Sequence, residues 1–285
     1  MRAIKTLFLL TALTLLLVVG GGAVAGRQGM TIGLIMAVAM NGISYFFSDK
    51  IALRSSGAQP VSREELPRLY EVMERLATKA GLPMPKLYVI PQPAPNAFAT
   101  GRNPSHASVA VTAGLMELMN DDELEGVIAH ELSHVRNYDI LITSIAATLA
   151  GAITWIASMG RWAMIFGGFG GSRDNDRGGG GLAALLMIIV APFAALLIQL
   201  GISRQREFGA DASGARMVGH PYGLISALEK LGAYNQRIPM DVSPATASLF
   251  IVAPLSARQV FTGLFSTHPP LSERIAVLRN MTVTK

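Results

Sequence analysis

The residues best placed to do chemistry are His130-Glu131-Leu132-Ser133-His134, two histidines four apart with an acid directly after the first. On a helix that spacing stacks both imidazoles on one face, where they can share one metal ion. Glu131 leaves the helix about 100° round from His130, close enough to a metal-held water to take its proton without competing as a ligand. That is the arrangement a zinc hydrolase needs. A catalytic zinc takes three protein ligands and keeps one position for water, so a third ligand must come from elsewhere. The chain has no cysteine, which leaves His, Glu and Asp as ligands and excludes disulfides and thiol catalysis. Glu207 is the candidate. It opens Glu207-Phe208-Gly209-Ala210-Asp211, so Glu207 and Asp211 share one helical face, the first able to bind metal and the second to orient a ligand histidine from behind.

The elements that must hold these groups are legible in part. Asn120 followed by Glu123 makes a capping-box start, and Leu124, Val127 and Ile128 supply an apolar stripe, so the His-Glu-x-x-His stretch is predicted helical. The 285 residues are 51% hydrophobic and 15% charged, with mean hydropathy +0.40, too apolar for an ordinary soluble domain. Four segments, 4–24, 30–47, 140–159 and 182–202, are long and apolar enough to cross a bilayer, and none contains an acid. The first could instead be a signal peptide, because Arg2 and Lys5 precede its apolar core and Ala23-Val24-Ala25 resembles a cleavage site. Pro192 is a candidate kink in the fourth.

The net charge of +5 does not point to nucleic acid: the basic residues flank apolar segments rather than form a run with aromatics. Arg2, Lys5, Lys50, Arg54, Arg136, Arg204 and Arg206 border one side of the spans, against Arg27, Arg161, Arg173 and Arg177 on the other. The positive-inside rule then puts both termini and residues 48–139 in the cytoplasm, with the Gly-rich loop 167–181 outside. Residues 63–80 carry helical periodicity through Leu66, Leu69, Tyr70, Met73 and Leu76, stopped by Gly81-Leu82-Pro83. Residues 86–90 read as a strand, and 96–100 with 105–112 as a hairpin closed through Gly101-Arg102-Asn103-Pro104. Helices are expected at 203–218, 224–236 and 270–280. His134 precedes the third span and Glu207 follows the fourth by only a few residues, so a hairpin of those spans brings both ligand helices out of one membrane face.

With these motifs in order, the chain resembles the HtpX family of membrane-bound zinc metalloproteases, relatives of the Ste24 and Oma1 proteases. The resemblance rests on His130-Glu131-Leu132-Ser133-His134 with Asp139 following, Arg206-Glu207-Phe208-Gly209-Ala210-Asp211, Asn96-Ala97-Phe98-Ala99-Thr100-Gly101 and His268-Pro269-Pro270. It implies a mainly α membrane protein, four transmembrane helices carrying a cytoplasmic α+β, gluzincin-like zincin domain with a small β-sheet. The divisions are then 1–48, two N-terminal spans; 49–139, the first part of the catalytic domain; 140–202, a transmembrane hairpin; and 203–285, the second part. The resemblance also implies one Zn2+ per chain on His130, His134 and Glu207, Glu131 as general base, Asp211 and Asp139 behind the ligands, and Asn96 and His268 near the reaction centre. His268 before two prolines reads equally well as a residue fixing a turn. The implied partners are polypeptide substrates, damaged or misfolded membrane proteins of a bacterial inner membrane, with self-cleavage; no nucleic acid is involved.

A quality-control protease must bind many sequences, and main-chain hydrogen bonds are the feature all peptides share. Asn96, Ala97, Phe98, Ala99 and Thr100 are therefore expected to form an exposed edge strand beside the metal, to which substrates add in extended form. Rival readings fit less well. A transporter would place ionisable groups within its spans, an intramembrane protease would not surround its metal helix with Asp121, Asp122, Glu123, Glu125 and Arg136, and a silent zinc-stabilised scaffold would not need Glu131.

Overall fold

The computed structural model describes residues 2–149, 204–235, 237, 240, 244–247, 249–252 and 269–283. The chain opens with the helical stretch α1 (Arg2–Ser55). Gly26 has φ 57°, and the chain turns back there: a Cβ on Gly21 would strike Gly29 O, and one on Gly33 would strike Leu17 O. Two apolar limbs, Thr6–Gly22 and Gly26–Ser55, thus lie against each other at a distance that small residues allow. Asn41 Nδ2 bridges them, donating to Leu10 O at 3.2 Å and Thr14 Oγ1 at 3.0 Å. Among the described residues Gly26–Ser55 is the one helix long and apolar enough to cross a membrane. The expected third span is described only as far as Leu149, and the fourth, with the Gly-rich loop, lies outside the described residues.

A four-stranded mixed sheet follows: β1 (Gln59–Pro60), β2 (Lys86–Ile90), β3 (Ala97–Gly101) and β4 (Ala107–Thr112), in the order β1-β2-β4-β3. β2 and β4 are parallel, and both outer pairs are antiparallel. The expected hairpin is present with Ala97 opposite Val111, but its link includes a short 3-10 turn, Pro104–His106, and strand β1 was not anticipated. α2 (Pro67–Ala80) starts four residues later than periodicity predicts, because Pro67 fits only the first turn and the preceding residues form a local turn in which Ser62 N bonds the Glu65 carboxylate. The helix ends at Gly81, in the left-handed conformation.

α3 (Ala113–Leu118), another unanticipated element, is capped by Thr112 Oγ1, which accepts from Leu115 N at 3.1 Å. α4 (Asp121–Arg136) has the full capping box, Asn120 and Glu123 each accepting the other's N–H at 2.9 Å. Then come α5 (Asp139–Leu149), α6 (Arg204–Val218), α7 (Tyr222–Asn235), the one-turn α8 (Pro244–Ala247) and α9 (Leu271–Arg279). α4 is central: Leu124, Val127, Ile128 and Leu132 join Leu69, Met73 and Leu76 of α2, Val109 and Val111 of β4, and Leu224, Leu228 and Leu231 of α7 in one buried core. A second cluster gathers Phe98, Ala110, Phe250, Ala52, Leu53 and Ala147. A third packs Leu9 and Leu13 of the first apolar limb on Ile142, Ile145 and Leu149 of α5.

Candidate metal centre and active site

α4 runs against α6 and α7, and its buried length carries His130 and Glu131, with His134 half-buried one turn on. Glu207 and Asp211, one turn apart on α6, face it across a crossing where Gly214 approaches the backbone of His130. His130 Nε2 and His134 Nε2 end 3.2 Å apart, with Glu207 Oε2 at 3.7 Å from the first and Glu207 Oε1 at 3.6 Å from the second. Ligands about 2.0–2.1 Å from a tetrahedral zinc stand about 3.3 Å from one another. The three groups therefore fit one metal ion, and among the described residues they form the cluster able to hold one.

The groups behind the ligands strengthen the fit. His130 Nδ1 lies 2.8 Å from Asp211 Oδ1, and His134 Nδ1 lies 3.4 Å from Asp139 Oδ2. With each Nδ1–H turned to a carboxylate, the two Nε2 lone pairs point at each other, and a proton or a cation must lie between them. Burial lowers the His130 pKa, and the neighbouring Arg274 and His134 charges assist while Asp211 opposes. Burial also pulls His134 down, but Asp139, Glu207 and Glu131 outweigh it and lift that ring to about 9. Those three carboxylates favour positive charge at this spot, whether a proton or a metal supplies it.

Glu131 is buried in the same cavity as His130, His134, Glu207, Thr143, Ala99 and Phe250. Burial pushes its carboxyl up to about 7; the His134 charge works against this, Glu207 adds to it, and the N–H of Ala99 donates to the carboxylate and opposes it.

Of Asn96, Ala97, Phe98, Ala99 and Thr100, Ala99 lines the cavity, and β3 is an edge of the sheet, but the expected exposure is absent: every one of the five is buried. The cover is residues 249–252. Ile251 N donates to Ala97 O at 2.9 Å, Phe250 packs edge-to-face on Phe98 with centroids 5.0 Å apart, and Asn96 Nδ2 donates to Val252 O at 2.8 Å. Thr100 Oγ1 is bound to Ser144 Oγ on α5 at 2.7 Å. His268 lies outside the described residues.

One residue of the site escaped the sequence reading altogether. Arg274 of α9 is fully buried, and its Nε and Nη2 donate to Asp211 Oδ2 and Oδ1 at 2.8 and 2.6 Å. Burial pushes Asp211 up, but the Arg274 charge and its two hydrogen bonds, with His130, hold it at about 2. The available signal was position: Leu271, Arg274, Ile275 and Leu278 form one helical stripe, and a cation within an apolar stripe marks a buried charge.

The description of peptidase family M48 matches residues 63–282. A protease HtpX homolog of Desulfatibacillum aliphaticivorans is 59% identical over 275 residues, covering 96% of this chain and 88% of its own. Another from Desulforapulum autotrophicum is 53% identical over 277 residues, covering 97% and 89%. The crystal structure of S. mikatae Ste24p is similar in fold, with a TM-score of 0.52 and 22% identity, over 97% of this chain and 65% of that one. The matched region contains the whole metal cluster and the buried acid beside it, and the chain is a metalloprotease belonging to peptidase family M48.

Proposed function

We propose that the chain is a zinc-dependent endopeptidase of a bacterial inner membrane that hydrolyses misfolded or damaged membrane proteins. The observation that carries this reading is the convergence of His130 Nε2, His134 Nε2 and the Glu207 carboxylate beside buried Glu131 in one cavity. Zinc held there supplies a Lewis acid that polarises the peptide carbonyl and acidifies water. Glu131 takes the proton of the attacking water and delivers it to the leaving amine. Burial raises the proton affinity of Glu131 toward the working range of a base at neutral pH. Asp211 and Asp139 fix the two imidazoles with Nε2 toward the ligand cluster. Asn96 and His268 are the proposed side-chain donors to the tetrahedral oxyanion, Asn96 by exchanging Val252 O for the substrate. Substrates run extended along β3 from Asn96 to Thr100 by taking the place of the 249–252 cover, using main-chain groups that any peptide can meet.

The membrane placement is supported by the apolar limbs of α1 and by the apolar segments 140–159 and 182–202. Residues 49–139 and 203–285 then form one cytoplasmic catalytic unit, with both termini on the same side, as the distribution of basic residues supports. The test is metal analysis of the purified full-length protein with casein cleavage, with and without a chelator, for the wild type and Glu131→Gln. Stoichiometric zinc, chelator-sensitive cleavage and its loss in Glu131→Gln, together with loss of self-cleavage, are the expected results. Full metal with no cleavage by the wild type would favour a zinc-stabilised scaffold instead.

A further inference from the structure

A buried guanidinium is costly unless its donors are satisfied, and Arg274 is 0% exposed. Its donors reach three different parts of the site. Nε and Nη2 grip both oxygens of Asp211, and Asp211 Oδ1 in turn meets His130 Nδ1. Nη1 donates to Ile251 O at 2.8 Å and stands 3.8 Å from Glu207 Oε2. Ile251 is the residue whose N–H bonds the outer edge of β3 at Ala97 O.

We propose that Arg274 is a positioning residue for the metal centre: it locks Asp211 so that His130 turns Nε2 toward His134 and Glu207, and with the same fork it ties the Ile251 backbone to that point. This rests on the metal-centre reading above. The planar guanidinium is essential to the arrangement, because one flat group bonds both carboxylate oxygens and still aims a further N–H at a backbone carbonyl. A lysine ammonium in that place neutralises Asp211 but offers no fork, so the carboxylate, and with it the His130 ring, gains freedom. Nothing in the arrangement brings Arg274 to a reacting atom; it acts through Asp211 and Ile251 and by standing behind the ligands themselves, Nη2 3.4 Å from His130 Nδ1 and Nη1 3.8 Å from Glu207 Oε2.

The test uses full-length protein in detergent with Co2+ as the probe, reading affinity by chelator competition and ligand geometry from the visible absorption of the bound ion. Arg274→Lys is expected to weaken Co2+ binding about 10- to 100-fold, the range for loss of a group that orients a metal ligand, and to alter the spectrum. Arg274→Met in an Asp211→Asn background is expected to bind no more weakly than Asp211→Asn alone, since both act on one chain of contacts. Should Arg274→Met not fold, because it strands a buried carboxylate, Arg274→Lys and the charge-balanced double variant decide the matter. Wild-type affinity and spectrum in Arg274→Lys, or losses that multiply in the double variant, would overturn the assignment. A purely structural arginine gives that result, with a lower unfolding temperature and an unchanged metal site. Failure of the wild type to take up Co2+, or undiminished uptake by Glu207→Ala, would instead overturn the metal-centre reading and the Arg274 role with it.

Discussion

Replacing Gly214 by Ala should damage metal binding far more than it damages the fold. Glu207, Asp211 and Gly214 follow one another on the α6 face that meets α4, and a Cβ on Gly214 would stand 3.0 Å from His130 N, 3.1 Å from Ala129 C and 3.2 Å from His130 Cα. Relaxed carbon contacts lie at about 3.5–4.0 Å, so α6 must withdraw by about 0.5 Å at this point. All three obstacles are helix backbone, which cannot rotate out of the way. Overpacking of this kind costs about 1–3 kcal/mol, and the gain in helix propensity of Ala over Gly returns about 1 kcal/mol, leaving a net loss of roughly 0–2 kcal/mol. Metal ligands, by contrast, tolerate departures of only about 0.2 Å. The shift carries Asp211 and Glu207 away from the histidines together, and metal affinity should fall about 10-fold or more. Gly126→Ala is the control. Its Cβ would meet Leu224 N at 2.5 Å and Leu224 Cα at 2.8 Å, where α7 rather than α6 crosses α4, so stability should fall further and affinity less. Thermal unfolding in the presence of chelator and competitive metal titration measure the two effects separately. Gly214→Ala with affinity within about twofold of wild type, or the same ratio of losses in both variants, would refute the idea that this crossing sets ligand spacing.

Removing any of the three ligands, as His130→Ala, His134→Ala or Glu207→Ala, should lower bound metal well below one per chain in elemental analysis; full occupancy in Glu207→Ala would strike it from the ligand set. Ala99→Pro deletes the N–H that donates to Glu131 and should depress cleavage of unrelated peptides alike at unchanged metal content, whereas undiminished cleavage would leave β3 without a part in the reaction. A cysteine placed at Ser172 in this cysteine-free chain should react with an impermeant thiol reagent only from the outer side, and labelling only from the cytoplasmic side would invert the topology.

What could be read from the sequence was local or periodic. The α4 capping box lies within four residues, the histidine pair within five, and the Glu207–Asp211 pair within one turn, so each was visible without knowing the fold. β1 is two residues long and ends in proline, too short for any alternation to show, and α3 begins on the Thr112 that ends a strand, where β pattern and helix cap overlap. Arg274 depends on contacts to Asp211 and Ile251, from elements that sequence distance separates, and charge alone argued for exposure. The alternation of residues 96–100 was compatible with a strand, and β3 (Ala97–Gly101) does stand last in the sheet. Its burial could not be seen, because the cover comes from Phe250 and Ile251, in a region with no clear period.

That cover explains how the edge strand is held in place. Phe98 packs on Phe250 and shares one buried cluster with Ala52 and Leu53 at the end of α1 and Ala147 of α5, while Thr100 is bonded to Ser144 of α5. Both apolar helical systems therefore bear on the strand whose next outward N–H, at Ala99, reaches Glu131. The Glu131 carboxylate thus takes its position from helix α4 and part of its proton affinity from a strand anchored to α1 and α5. Because α5 is also clamped by Leu9 and Leu13 of the first apolar limb, the packing of α1 against α5 is mechanically continuous with the acid beside the metal ligands.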